Sequence, residues 1–206
     1  MDNRPVIVLQ PQSPFARHAR RLGFQVLAAQ EDGADDVRVG ECQVFHWDMA
    51  SLRQPLLRSL VSDLLARVPA DCTRILDFTL VDPLVSDRPF VRTSLSCCDL
   101  LRIDIRQLPA VCRLMGLRSK YALDQGFELM SVFRIATLAL SNGKQGCSVL
   151  HDNAVSEKRG HFPFGVLTAE EIDGAFIAAY YAASLQPGKG FSECHRQGFA
   201  YVAGLI

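Results

Sequence analysis

Apolar and polar positions alternate with two different periods along the chain. Pro5-Val6-Ile7-Val8-Leu9 is a β-branched run that suits a buried strand. From Phe15 to Leu22 the spacing turns helical on a basic background, and Gly23 stops it. Phe24 to Ala28 predicts a second strand, and the Asp-rich stretch 30–40 a loop. Leu56, Leu57, Leu60, Leu64 and Leu65 form a stripe at helical spacing, which predicts a helix over Leu52 to Val68 ended by Pro69. Ile75 to Val81 reads as a strand, 82–92 with its prolines as a loop, and Leu108 to Met115 as a helix closed by Gly116.

Further along, Tyr121-Ala122-Leu123 predicts a short strand that runs into a tight turn at Asp124-Gln125-Gly126. A helix is expected from Phe127 to Leu140, ended by Ser141-Asn142-Gly143. Cys147 to Leu150 is a further strand, and Asn153 to Phe164 a loop. Ile172-Asp173-Gly174-Ala175 reads as a turn into the apolar run Phe176 to Ala183, which periodicity leaves as strand or helix. Strands alternating with helices predict an α/β protein, with a mixed or mainly parallel sheet covered on both faces. The 206 residues are expected to form a single domain.

Composition narrows the functional classes. Apolar residues make up 49% of the chain, which is enough for a buried core. Lys and Arg total 22 and so do Asp and Glu, so no net charge draws the protein to nucleic acid or to an anionic membrane. The basic cluster Arg17-His18-Ala19-Arg20-Arg21 reads as a solvated helix face. MDNRPVIVLQ has no leader pattern and no stretch is long and apolar enough to span a bilayer, which predicts a soluble, cytoplasmic protein. The seven cysteines form no CxxC pair and read mostly as small buried hydrophobes.

Several chemistries lack their motifs. There is no GxxxxGK[ST], no GxGxxG after the first strand and no GxSxG. His46, His151 and His161 lack metal-site spacing, so no metal and no cofactor is expected. His151-Asp152 reads as an ordinary strand end. Cys97-Cys98 reads as a pair of core cysteines at a helix start rather than a nucleophile.

The order of elements from about 56 to 190 resembles the N-terminal half of the thiolase-fold condensing enzymes, in particular the β-ketoacyl-acyl-carrier-protein synthase III type. RVPADCTRIL, ILDFTLVDP, LPAVCRLMGLRSKYALDQG, FELMSVFRIATLALSNG, CSVLHDNAVSE and IDGAFIAAYYAAS carry the likeness. It implies a thiolase-like half whose nucleophile elbow is the turn at Asp124-Gln125-Gly126. The position of the family's nucleophilic Cys falls on Gly126, or on Leu129 if the helix is shortened, and neither can attack a thioester. His195 lies too early to stand for the family's histidine.

The resemblance therefore implies a catalytically degenerate ketosynthase-like protein, accessory to fatty-acid, polyketide or related acyl-chain synthesis. Asp124, Gly126, Phe127, Asp173 and Gly174 would face an acyl ligand, an acyl thioester or an acyl-carrier protein. A lone half would expose Ala178, Ala179, Tyr180 and Tyr181, so a homodimer, or a heteromer with an active condensing enzyme, is expected. Two alternatives stand beside it. One is an acyltransferase using Cys97, Cys98 or Cys147. The other is a nucleotide-binding α/β module, since VIVLQPQSPFARHARRLGFQVLAA looks like the βαβ start found before ATP-grasp domains. For individual residues, Asp124 as a helix cap, Asp173-Gly174 as a plain turn and Glu128 at the helix N-terminus are the structural readings.

Overall fold

In the parallel strands, successive residues send their side chains to opposite faces, and this alternation builds two cores. The computed structural model describes residues 4–29, 36–79, 87–160 and 167–205. Its strands are β1 (Val6–Val8), β2 (Val26–Ala28), β3 (Val44–Asp48), β4 (Thr73–Phe78), β5 (Leu100–Asp104), β6 (Thr137–Ser141), β7 (Gly146–His151) and β8 (Ala154–Arg159). All eight join one sheet in the order β2-β1-β3-β4-β5-β6-β7-β8. The first six in that order are parallel, while β7 and β8 add as an antiparallel hairpin at one edge.

The helices are α1 (Pro14–Arg21), α2 (Asp36–Val39), α3 (Pro55–Arg67), α4 (Arg88–Ser96), α5 (Leu108–Met115), α6 (Ala122–Phe133), α7 (Ala169–Ser184) and α8 (Phe191–Ala203). Ile7, Phe45, Trp47, Leu76, Phe78, Leu101, Ile103, Leu138 and Leu140 point to one face and meet α3, α4, α5 and α6. Val6, Val8, Val44, Ile75, Leu100 and Ala139 point to the other and meet α1, α7 and α8. Full burial of Phe45 and Phe78 stabilises the fold by roughly 1.5–3 kcal/mol each. The chain moves to one side of β1 to make β2 and to the other to make β3. This reversal leaves a crevice outside the carboxyl ends of β1 and β3.

The expected mixed sheet with helices on both faces is present, but several local expectations are corrected. The elbow does not exist: Tyr121 is the residue before α6, and Asp124, Gln125 and Gly126 lie within that helix. The helix stops at Phe133 rather than at Leu140. Arg134 adopts a left-handed conformation (φ 58°, ψ 37°), and the Ile135 N–H reaches back to Met130 O at 3.0 Å. No glycine marks this stop. The strand after it is buried at every position, so it lacks the alternation that separates strand from helix.

Asp173-Gly174-Ala175 is likewise helical, inside α7, which opens on a capping box. Thr168 Oγ1 accepts from the Glu171 N–H at 3.2 Å, and a Glu171 carboxylate oxygen accepts from the Thr168 N–H at 2.9 Å. Ala178, Ala179, Tyr180 and Tyr181 are buried against the sheet, so the apolar face expected to seek a partner is covered by the chain itself. Of the loop expected over 82–92, residues 82–86 lie outside the described residues and 88–92 start α4 with Asp87 as its cap, and residues 154–159 form β8 instead of a loop. Of the basic cluster, Arg17, Arg20 and Arg21 are exposed, but His18 is buried. His161 lies outside the described residues.

Candidate functional site

At the carboxyl ends of the central strands the second face turns from apolar to charged. Along β3 the inward positions read Val44, His46, Asp48; along β4, Ile75, Asp77; along β5, Leu100, Arg102, Asp104; along β6, Ala139, Ser141. The register sets Asp48 beside Asp77 and Asp77 beside Arg102, and on the next level Asp104 beside Ser141. Helix α7 crosses this row and adds Asp173. Arg102 Nη1 lies 3.1 Å from Asp173 Oδ2, Arg102 also pairs with Asp77, and Ser141 Oγ donates to Asp173 Oδ2 at 3.2 Å. The charged row is thus made from four strands and one helix.

Burial at this row has electrostatic consequences. Asp173 is 7% exposed, and desolvation pushes its carboxyl up to about 6, aided by the charges of Asp77 and Asp104 and opposed by Arg102 and Ser141. His46 is buried and stacks on Phe15 with ring centroids 4.0 Å apart, and burial lowers it to about 4, so it is neutral. His46 Nδ1 and Arg102 Nε are buried and have no hydrogen-bond partner among the described residues. Buried polar atoms are ordinarily satisfied, and both residues also line the crevice at the carboxyl ends of β1 and β3.

These groups open on the switch-point crevice, whose volume is about 350 Å³. Gln10, Gln12 and Ser13 from the β1–α1 turn line it, with Asp48, Asp77 and Arg102 from the strands, Thr79 just after β4, and Glu170 and Gly174 from α7. Gly174 allows the helix to come this close: a Cβ there would sit 2.5 Å from Pro14 Cβ and 2.6 Å from Phe15 N. Asp173 pairs with Arg102 behind the crevice and lines a narrower cleft with Gly143, Gly146 and Cys147. A volume of this size suits a sugar-sized molecule.

The residues expected to form one ligand site divide between the two faces. Gly174 lines the crevice and Asp173 pairs with Arg102 beside it, while Asp124, Gly126 and Phe127 sit in α6 on the other face. Asp124 is exposed on the first turn, where its charge suits the helix dipole. Gly126 permits close packing, since a Cβ would meet Leu150 Cδ2 at 2.8 Å and Leu138 Cδ2 at 3.1 Å. Phe127 packs on the hydrocarbon core and Leu129 is fully buried within it. Glu128 turns back to accept from the Ser119 N–H at 2.9 Å and the Arg118 N–H at 3.2 Å, tying down the segment before α6.

The cysteine alternatives also separate. Cys97 ends α4, and Cys98 is buried with its thiol on Leu95 O at 3.4 Å, where burial pushes its pKa up. Cys147 Sγ lies 3.1 Å from His195 Nε2, and His195 Nδ1 lies 2.9 Å from Ser156 Oγ. The arrangement has the look of a thiol–base pair, but its electrostatics oppose ionisation. Burial pushes the Cys147 thiol up and lowers His195 to about 4, so a neutral thiol meets a neutral imidazole. His151 accepts or donates to Thr137 Oγ1 at 2.9 Å and closes the end of β7. Among the described residues no group of three or more His, Cys, Asp or Glu is placed to hold a metal ion, and no helix is long and apolar enough to cross a membrane.

No family model and no curated protein matches the chain. Solved structures do. Trypanosoma brucei brucei adenosine kinase superposes with a TM-score of 0.67 at 12% identity, covering 86% of this chain and 56% of that one. Xylella fastidiosa fructokinase with bound ATP gives 0.61 at 14% identity, with coverages of 83% and 54%. The Methanocaldococcus jannaschii nucleoside kinase, described as an archaeal member of the ribokinase family, gives 0.59 at 10% identity, with coverages of 79% and 49%. The chain therefore has the α/β fold of the ribokinase-like sugar and nucleoside kinases, and spans about half the length of these proteins. This likeness overturns the resemblance to condensing enzymes, and with it the ketosynthase-like reading and its acyl-chain biosynthesis. At such identities it establishes the fold alone, and function rests on the site.

Proposed function

We propose that the chain binds a sugar or a nucleoside in the switch-point crevice and takes part in phosphoryl transfer from a nucleoside triphosphate to one of its hydroxyls. The observation that carries this is Asp173, a buried carboxyl at about 6, paired with Arg102, which lines the crevice. Such a group is poised to accept a hydroxyl proton near neutral pH. The substrate oxygen bonds to the terminal phosphorus, the bond from that phosphorus to the nucleoside diphosphate breaks, and the proton ends on Asp173. Arg102 holds the carboxylate in place, and neutral His46 lines the same crevice. The kinase folds support the choice of reaction class, and the nucleotide-binding alternative raised by the first βαβ unit agrees with it.

A second reading, binding without transfer, is favoured by the first turn of α7. Glu170 and Glu171 stand where the helix N-terminus would otherwise attract a phosphate. Both readings are separated by measuring ligand binding calorimetrically and nucleoside diphosphate release over a panel of sugars and nucleosides. Transfer predicts turnover that rises with pH through about 6 and falls on the order of 10²–10⁴-fold in Asp173→Asn, with binding retained. Binding with no turnover selects the second reading. Absence of binding to every sugar and nucleoside sinks both.

A further inference from the structure

Two thiols meet at the amino ends of the strands, opposite the crevice. Cys42 precedes β3 and Cys72 precedes β4. These strands are parallel neighbours with Val44 level with Thr73, and the Thr73 N–H donates to Gln43 O at 2.9 Å, so the main chains beside the cysteines are already joined. Cys42 Sγ and Cys72 Sγ are 3.3 Å apart. The thiols are buried, but Glu41 and Asp71 next to them are exposed, so the pair lies one residue beneath the surface. Arg4 Nη1 donates to Asp71 Oδ2 at 2.7 Å over this spot. The hydrogen bond from Cys72 and the charge of Arg4 both lower the Cys42 thiol.

We infer that Cys42 and Cys72 form a redox-active dithiol that closes to a disulfide joining the entrances of β3 and β4. A bond length of roughly 2.0 Å requires the sulfurs to approach by little more than an ångström. The co-reactant is a low-molecular-weight disulfide. Cys42, as thiolate, attacks one of its sulfurs; that S–S bond breaks and the departing small thiolate takes up the proton Cys42 lost. Cys72 then attacks the Cys42 sulfur of the mixed disulfide, and the second small thiol leaves with the Cys72 proton. The protein loses two electrons and two protons, and one small disulfide becomes two thiols. The bond ties residues 42 and 72 at the end of the sheet away from Asp48, Asp77 and Asp173, so it stabilises the fold without occupying the crevice.

The test is incubation of the full chain with oxidised glutathione, followed by thiol titration in denaturant and mass mapping of unreduced peptides. The expected result is loss of two of the seven thiols, a linked Cys42–Cys72 peptide, and a Tm higher than that of the reduced protein by roughly 5–15 °C. Cys72→Ala removes the linked peptide, whereas Cys147→Ala retains it. Because linkage is read on peptides, a loss of stability in a variant does not obscure the answer. Seven intact thiols, glutathione left on Cys42 as a stable adduct, or linkage of any other pair overturns the inference.

Discussion

The two faces of the sheet are packed by different chemistry. Under α3, α4, α5 and α6 lies a nearly continuous hydrocarbon core in which Phe45, Trp47, Leu76, Phe78 and Leu101 are fully buried. Under α1, α7 and α8, the same strands bury His46 and Arg102, and the helices add His18, His195 and Asp173. A hydrocarbon face is insensitive to pH and tolerant of exchange between similar shapes. A face with buried titratable groups holds them in chosen protonation states, which restricts its stability but sets up chemistry. The difference teaches that one side of this molecule supplies stability and the other supplies the site.

The largest effect that tests this division is a cavity in the hydrocarbon face. Leu76→Ala should cost about 2–5 kcal/mol in chemical denaturation, with the pH dependence of stability unchanged. A shifted pH profile would show that the faces are coupled through β4.

Acid should act on the other face. His46 and His195 are held neutral at about 4, whereas in the unfolded chain they titrate near 6.5. As pH falls from roughly 6.5 to 4 the unfolded chain takes up protons first, and the stability present at neutral pH is lost. Asp173 works in the opposite direction. Its raised carboxyl, at about 6, keeps its proton in the native state, so it costs stability as pH rises from about 4 to 6. His46 and His195 outweigh one carboxyl, and His18, also lowered by burial, adds in the same direction, leaving a net loss on the order of 2–3 kcal/mol toward pH 4. Denaturation curves across that window measure it, and hydrogen exchange should show α1, α7 and α8 opening before α3, α5 and α6. Simultaneous opening of both sides would break the comparison.

The smallest effect is a paired glycine experiment. Gly174→Ala should cost roughly 1–3 kcal/mol, because the new Cβ meets the rigid Pro14 ring and the Phe15 main chain. Gly126→Ala meets only the mobile ends of Leu150 and Leu138 and should lower Tm by less. The reverse order would show that α7 is the looser contact.

Much of the fold was legible where local signals agreed. Ser13-Pro14 and Gly23 bound α1, the leucine stripe marks α3, and Gly116 takes the left-handed conformation (φ 79°) that closes α5. Legibility failed where tertiary contacts replace those signals. Arg134 stops α6 in a conformation that sequence assigns to glycine, and β6 is buried on both faces. Strands β3 and β5 are short and carry His46, Asp48, Arg102 and Asp104, which breaks their apolar reading. Thr168 and Glu171 form a capping box whose pattern was present in the sequence, and it was the available signal that Asp173-Gly174 begins a helix and not a turn.

Asp173 and Gly174 could be singled out from sequence, but their partners could not. Arg102, Asp77, His46 and Ser141 come from four strands, and only parallel pairing in register brings them to neighbouring levels of one face. The sequence by itself determined the α/β class, the balanced charge and the places of β1, β2, β4, β7, α1, α3 and α5, because those follow from residue periodicity and composition. Tertiary structure alone decided strand order, which helices lie on which face, and which charges share a buried row. Those outcomes depend on contacts between distant segments, and no local pattern encodes them.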